Sequence, residues 1–219
     1  MKPIIIRSCS ELSANQQVQL FEMVCNEFVN SSPIHVALGI NTQEYADYLR
    51  DEWTSYIHKG PLGPMGSLVA CDPDSGEIRG CMITAAFPSC FKHSANLPIK
   101  QKTVSALLQE LEELYLGENV NTEKSLLVDI AVVHKQFSNR GIYQQLRHRL
   151  QELAVSNGFN NIFGELSSAA TQHVCINKLH QQTVAEIFYK DFDFAGSRPF
   201  EDILEPPSIK LVVASLPAT

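Results

Sequence analysis

No two of the six cysteines, at 9, 25, 71, 81, 90 and 175, stand in C-x-x-C spacing, and no histidine cluster accompanies them. That pattern speaks against a zinc site and fits reduced thiols better than a disulfide framework. Cys71 and Cys81 flank a hairpin and read as neighbouring core thiols. The chain has no basic excess: 24 acidic against 17 basic residues give a net charge of −7. Nucleic-acid binders normally carry a basic patch or stripe, so that class is excluded. The charge reads first as an aid to solubility, and it also favours steering of cationic small molecules. No apolar run approaches membrane-spanning length. The one near the N-terminus, Ile4 to Ile6, is too short for a signal-peptide core, so a cytoplasmic protein is expected. Neither G-x-x-x-x-G-K-[ST] nor G-x-G-x-x-G occurs, which ranks a nucleotide enzyme last. His173 and His180 lack carboxylate or cysteine partners at ligand spacing, so no metal is expected. There is no internal repeat and no low-complexity segment.

What remains is ordinary for a globular chain: 219 residues, 44% apolar and 19% charged, long enough to bury a core without staples. Residues 3–8 read as a strand. Ser13 and Gln16 form a capping-box pair before an amphipathic helix over 14–30. Residues 30–40 read as a loop, and Asn41 with Glu44 caps a second helix marked by Tyr45, Leu49, Trp53 and Ile57. Residues 67–87 form a hairpin about the turn formers Pro73, Asp74 and Gly76, and Gly80 inside its second strand suggests a bulge. A helix spans 101–117. The apolar, β-branched run 124–133 reads as a central strand covered on both faces. A helix starting near Ile142, a strand at 159–166, a mostly helical stretch at 169–192 and a last strand at 209–216 follow. The order β, α, α, β, β, α, β, α, β, α, β predicts a mixed α/β fold, one sheet with helices on both faces, in a single domain over 1–219.

The segment HKQFSNRGIYQQLRHRL, residues 134–150, carries the chemistry. A buried strand runs straight into a loop and a helix start. The first amides of a helix lack internal partners and the helix dipole adds positive potential, so such a junction holds phosphates. Gly141 allows a tight turn with positive φ, and Arg140 adds a full charge suited to phosphate. The simpler alternative is an ordinary strand–helix connection, since one glycine before a helix is common.

These residues resemble the acetyl-CoA loop of the GNAT superfamily of N-acetyltransferases. Ala131 to Phe137 lie on that family's strand end, Ser138 to Tyr143 on its Gln/Arg-x-x-Gly-x-Gly/Ala loop, and Leu146 on its following leucine. Ser138 and Tyr143 depart from the pattern. AEIFYKDFDF, residues 185–194, resembles the family's A-x-x-L-Y-x-x-x-G-F signature through Ala185, Phe188, Tyr189 and Phe194, with Asp193 where glycine is usual. Gln182 stands where the family often has an asparagine that contacts the pantetheine arm. Residues 27–39 resemble the arylalkylamine branch, with Ser32 near the place of that branch's glutamate.

The resemblance implies a GNAT-like mixed sheet of about six to seven strands, with an N-terminal part over 1–117, an acetyl-CoA-binding core over 124–194 and C-terminal strands in 195–219. It implies acetyl-CoA as co-substrate, a small-molecule primary amine as acceptor, and direct attack in a ternary complex. The implied cofactor contacts are Ala131, Val132, Val133, Ser138, Asn139, Arg140, Gly141, Ile142, Tyr143, Gln144 and Gln182. An oxyanion donor at a strand bulge maps near Ala131 to Val133. Tyr189 maps to the family's proton-donating tyrosine. Asp129 is the best candidate base, because a carboxylate in an apolar strand needs a reason; it shares strand parity with Ala131 and Val133. An Asp paired with a nearby cation is the alternative, and Glu165, read as a solvated strand end, is a second candidate. His134 reads as exposed. Acceptor specificity is expected in loops 28–42, 58–66 and 88–100. A non-catalytic module that holds CoA is the competing function, and a monomer and a homodimer are equally compatible with the sequence.

Overall fold

The computed structural model describes residues 3–58, 60–89, 97–117 and 122–217. Its strands are β1 (Ile5–Ser8), β2 (Leu68–Cys71), β3 (Ile78–Ala86), β4 (Ser125–Val133), β5 (Asn161–Leu166), β6 (Gln182–Phe188) and β7 (Ser208–Ser215). They form one seven-stranded mixed sheet in the order β1-β2-β3-β4-β5-β7-β6. Only β4 and β5 pair in parallel; the other neighbours are antiparallel.

The helices are α1 (Ala14–Ser31), α2 (Pro33–Ala37), α3 (Thr42–His58), α4 (Ile99–Leu116), α5 (Ile142–Ser156) and the short α6 (Ala169–Gln172), which continues as a π-turn over His173–Lys178. Both expected capping pairs form. Ser13 accepts from the Gln16 amide while Gln16 accepts from Ser13, and Asn41 and Glu44 exchange the same two bonds at 3.0 Å each. Residues 33–37 are helical rather than loop, because Pro33 pre-sets the first turn.

Helices cover both faces of the sheet. On one face, Leu20 and Val24 of α1, Leu49 and Trp53 of α3, and Leu107 and Leu111 of α4 pack on Leu127, Ile130, Val132 and Phe163. On the other, Ile142, Leu146, Leu150 and Ala154 of α5 pack on Leu126, Val128, Ile162 and Met82. Burying each such aliphatic side chain stabilises by about 1.5–3 kcal/mol. The strand β4 therefore has apolar residues on both sides, which is why its sequence runs without polar alternation.

Some local expectations hold and others change. Gly80 flanks a bulge, as expected: Ala70 pairs with Gly80 and Cys71 with Ile78, leaving Arg79 as the extra residue of β3. A Cβ at Gly80 would also lie 2.8 Å from the Val132 carbonyl, so glycine permits the close approach of β3 to β4. A second bulge falls in β4, where Ile83 pairs with Ile130 and Thr84 with Val128, leaving Asp129 as the extra residue. Finally, residues 182–192 are not helical. His180 takes a positive φ of 52°, which ends the π-turn, and the alternating run that follows pairs with β7 as the edge strand β6. Residues 195–207 hold turns, and β7 is the one strand after them.

Candidate active site

The parallel pair β4–β5 keeps register from Ser125↔Asn161 to Val128↔Gly164 and no further. Both strands continue, β4 to Val133 and β5 to Leu166. β4 remains held by β3 and β5 by β7, so the two part company in the middle of the sheet. The bulge at Asp129 marks the parting. On the β3 side the His134 amide donates to the Arg79 carbonyl at 2.9 Å. An antiparallel ladder alternates, so the Val132 amide also faces β3, and the amides of Ala131 and Val133 face the gap. The expected donor residues thus present two N–H groups to the gap, although the bulge itself lies at Asp129.

At the C-terminal end of β4 the chain turns through residues 135–137 into the loop before α5. Asn139 and Gly141 both have left-handed backbones, with φ of 60° and 69°. The Gln145 amide is the first of α5 to bond internally, to the Gly141 carbonyl at 3.1 Å. Among the described residues the amides from Asn139 to Gln144 make no backbone hydrogen bond, so a run of free N–H groups lies at the positive end of the helix dipole. Arg140 stands beside it, its guanidinium 5.3 Å from the centre of the Phe137 ring; Arg79 sits 4.9 Å from that same ring. Ser138 to Gln144 lie together on this turn, an amide cradle at the start of α5. His134 belongs to its base, half-buried: its Nε2 lies 3.7 Å from Glu27 of α1, and its Nδ1 accepts from the Gln136 amide.

Tyr143 points away from the cradle. Its hydroxyl lies 3.2 Å from Cys175 Sγ in the π-turn, and its ring packs with Leu166, Val212 and Ile176. Burial pushes the phenol pKa up.

The opposite side of the gap is acidic. Because of the bulge, Asp129 does not share a face with Ala131 and Val133: those two pack toward α5, whereas Asp129 meets Tyr56 and Tyr45 of α3. Burial raises the Asp129 pKa to about 6, and a hydrogen bond from the Tyr56 hydroxyl pulls against that rise. Glu165 is no solvated strand end. Its Oε1 is buried without a partner, and burial, then the charges of Glu112 and Asp129, push its pKa well above the usual carboxylate range. Glu112 of α4 accepts from the Ser89 amide at 3.0 and 3.1 Å and from its hydroxyl at 2.8 Å, and burial still raises its pKa. Among the described residues no ion pair reaches any of the three. The expected alternative for Asp129, a partner Lys or Arg, is therefore not what the fold provides. Sequence reasoning missed Glu112, whose only signal was a glutamate on the apolar stripe of α4. Tyr56, which bonds Asp129, also lines a 360 Å³ cleft with Ser55, Gly60, Pro61 and Thr84 to Ala86, beside the expected specificity loop 58–66. Residues 59 and 90–96 of the specificity loops lie outside the described residues.

The two remaining expected residues stand apart from the cradle. Gln182 opens the edge strand β6, exposed. Tyr189, just beyond β6, is fully buried among Phe192 and Phe200. Its hydroxyl donates to the Ser167 carbonyl at 3.1 Å, at the tip of β5, and burial pushes its pKa up. Ser32, near the expected place of a glutamate, is buried and its hydroxyl lies 2.8 Å from His35 Nδ1. Among the described residues no group of His, Cys, Asp or Glu has the geometry to hold a metal ion.

No family model and no curated protein sequence matches the chain. Solved structures do match. The C-terminal condensation domain of Ebony, in complex with β-alanyl-dopamine, gives a TM-score of 0.82 at 18% identity, covering 99% of this chain and 100% of that one. A putative arylalkylamine N-acetyltransferase 7 from the yellow fever mosquito Aedes aegypti gives 0.77 at 16% identity, over 97% and 87% of the two chains. A polyamine N-acetyltransferase of Drosophila melanogaster gives 0.68 at 15% identity, over 98% and 100%. The chain has the fold of the GNAT acetyltransferases, with relatives of that fold in the arylalkylamine branch.

Proposed function

We propose that this chain transfers the acetyl group of acetyl-CoA to the primary amine of a small cationic molecule, by direct attack in a ternary complex. The observation that carries the reading is the opposite polarity of the two sides of the gap between β4 and β5. On the α5 side lie the amide cradle and Arg140, suited to phosphates. On the α3 and α4 side lie three carboxyl groups that no cation pairs among the described residues, and Tyr56, which bonds Asp129, also lines a surface cleft. A thioester reaching the gap from the first side meets an amine arriving from the second. The ligand and the names of these fold relatives, β-alanyl-dopamine, arylalkylamines and polyamines, support an amine acceptor.

In this reading the cradle from Ser138 to Gln144 holds the pyrophosphate, and the arm follows the free edge of β4. The amides of Ala131 and Val133 donate to the thioester oxygen as it gains charge during attack. Asp129 takes the proton that makes the amine nucleophilic; a carboxylate with a pKa of about 6 is ionised at neutral pH yet basic enough to accept it. Glu165 and Glu112, whose pKa values burial raises, offer carboxyl oxygens that accept hydrogen bonds from the ammonium, and its charge favours their ionised forms. Tyr189 would return a proton to the leaving thiolate, its hydroxyl turning from the Ser167 carbonyl.

The test pairs calorimetric titration of acetyl-CoA with CoA release, followed by a thiol reagent across an amine panel. Arg140→Glu should weaken acetyl-CoA binding severely; undiminished binding would sink the assignment of the loop. Binding without turnover on any amine would instead favour a non-catalytic CoA-holding module.

A further inference from the structure

Arg147 lies on α5 four residues after Tyr143, so the two share a face of the helix one turn apart. It is 1% exposed, yet its Nε, Nη1 and Nη2 all lack a hydrogen-bond partner. A guanidinium carries five N–H donors and stays charged, and a charge held out of water without a partner opposes folding. Nothing in the packing of α5 asks for it, since Ile142, Leu146, Leu150 and Ala154 already fill the core on that side.

Its surroundings are polar and confined. Burial raises the pKa of both the Tyr143 hydroxyl and the Cys175 thiol, and the nearby Arg147 charge pulls both back down. Those two groups touch one another at 3.2 Å. Leu166 and Val212 close the same space, and Leu166 ends β5 beyond its parting from β4. At 1.5 Å of rise per residue the Arg147 backbone lies about 7 Å along α5 from its first residue, inward of the amide cradle and on its side of the gap.

We propose that Arg147, with the Tyr143 hydroxyl, is a second oxyanion subsite, filled by an anionic group of the acyl donor. The proposal rests on the donor reading above. Between its phosphates and its thioester the arm of a CoA-type donor is uncharged. The anion at Arg147 is therefore either a phosphate seated deeper than the cradle alone would hold it, or a carboxylate borne by the acyl chain. Both offer the paired oxygens that a planar guanidinium binds bidentately. On this view the subsite also explains the tyrosine in place of a small residue at 143: its ring forms the wall that keeps the arginine out of water.

The experiment is calorimetric titration of wild type, Arg147→Leu and Arg147→Lys with CoA, acetyl-CoA, malonyl-CoA and inorganic pyrophosphate, with thermal unfolding of each protein without ligand. Arg147→Leu should unfold at or above the wild-type midpoint, since it removes an unpaired buried charge, so lost binding cannot be blamed on a lost fold. If the partner is a phosphate, Arg147→Leu weakens CoA and both esters alike by roughly tenfold or more, the scale of a charge-assisted bond. If it is an acyl carboxylate, wild type prefers malonyl-CoA to acetyl-CoA by a similar factor, Arg147→Leu erases that preference, and Arg147→Lys restores only part of it. Equal binding of every ligand by Arg147→Leu and wild type overturns the subsite. Should wild type bind no CoA ester, the donor reading fails. The subsite then stands only if pyrophosphate binds in an Arg147-dependent way, and falls with the donor reading if it does not.

Discussion

The Tyr56 hydroxyl of α3 donates to the carboxylate of Asp129, the residue that bulges from β4 at the parting of the two parallel strands. The bond favours the ionised carboxylate while burial favours the neutral one, and burial prevails at a pKa of about 6. If Asp129 is the base, kcat/KM for amine acylation should fall as pH drops through about 6. Tyr56→Phe removes a bond to the charged form and should move that limb to higher pH. Asp129→Asn should remove the limb and slow the reaction by about 10²–10⁴-fold. A pH–rate profile of the three proteins decides this; a limb unmoved in Tyr56→Phe would separate it from Asp129.

The same carboxyl makes stability depend on pH. Its folded pKa of about 6 exceeds the ordinary 3.8, so the fold favours the protonated form. The contribution is complete below the ordinary value and is lost as pH rises through about 6, amounting to about 3 kcal/mol at 1.4 kcal/mol per unit. Asp129→Asn should therefore be more stable than wild type at pH 8 and about equal to it at pH 4, by urea midpoints. Glu165→Gln should shift in the same direction, because the Glu165 pKa is also raised.

Gly141 has φ of 69°, a left-handed conformation that costs an L-residue about 1–2 kcal/mol. Gly141→Ala should lower the unfolding midpoint accordingly. Because it strains the turn that aims the amides from Asn139 to Gln144, it should also weaken acetyl-CoA binding. Calorimetry on the folded variant separates the two effects; unchanged affinity would show that the turn tolerates the methyl group without re-aiming its amides.

Gly80 offers a contrasting case, since its φ is ordinary and its constraint is space. A Cβ would press within 2.8 Å of the Val132 carbonyl, which is backbone and cannot swing aside. Gly80→Ala should cost about 1–3 kcal/mol, as overpacking does, and should displace the strand end that carries the Ala131 and Val133 amides. Loss of turnover with retained fold, read by circular dichroism beside the CoA-release assay, is the expected result.

Tyr143 can be tested by halves. Tyr143→Phe deletes only the contact with Cys175 and should cost about 1 kcal/mol or less. Tyr143→Ala opens a hole beside Leu166 and Val212 and should approach the roughly 3–5 kcal/mol of an aromatic truncated in a core, reduced because the ring is only partly covered. Thermal midpoints of the two variants check the ratio.

Periodicity and turn chemistry made most of this architecture legible. The capping pairs Ser13–Gln16 and Asn41–Glu44, the hairpin, the doubly covered β4 and the loop at Gly141 all announce themselves locally. What escaped was decided by partners distant in sequence. The run 182–188 carries helix-compatible residues, and only β7, arriving some twenty residues later, makes it a strand. The parity of Asp129 could not be read because a one-residue bulge, set by how β3 pairs with β4, turns it to the other face. Glu165 reads as a solvated strand end and Glu112 as one more residue of its helix, and the parted strands and α4 that enclose them exist only in three dimensions. Arg147, on an apolar helix face, gave a faint local signal that becomes readable only once its lack of partners is known.

β7 lies between β5 and β6 in space although it follows both in the chain. The strand that braces the outer side of the gap is thus the last one made. During synthesis, the residues from β4 through the N-terminus of α5 leave the ribosome before residues 208–215 do. Until those residues insert, β5 lacks its support along all six of its positions, and its backbone edge is open to any other strand nearby. The assembly order therefore sets a window of vulnerability: a nascent chain stalled before β7 presents a half-finished sheet, in which β5 is held by β4 on one edge only, and proofreading by chaperones or proteases would act on its open edge rather than on the loop before α5.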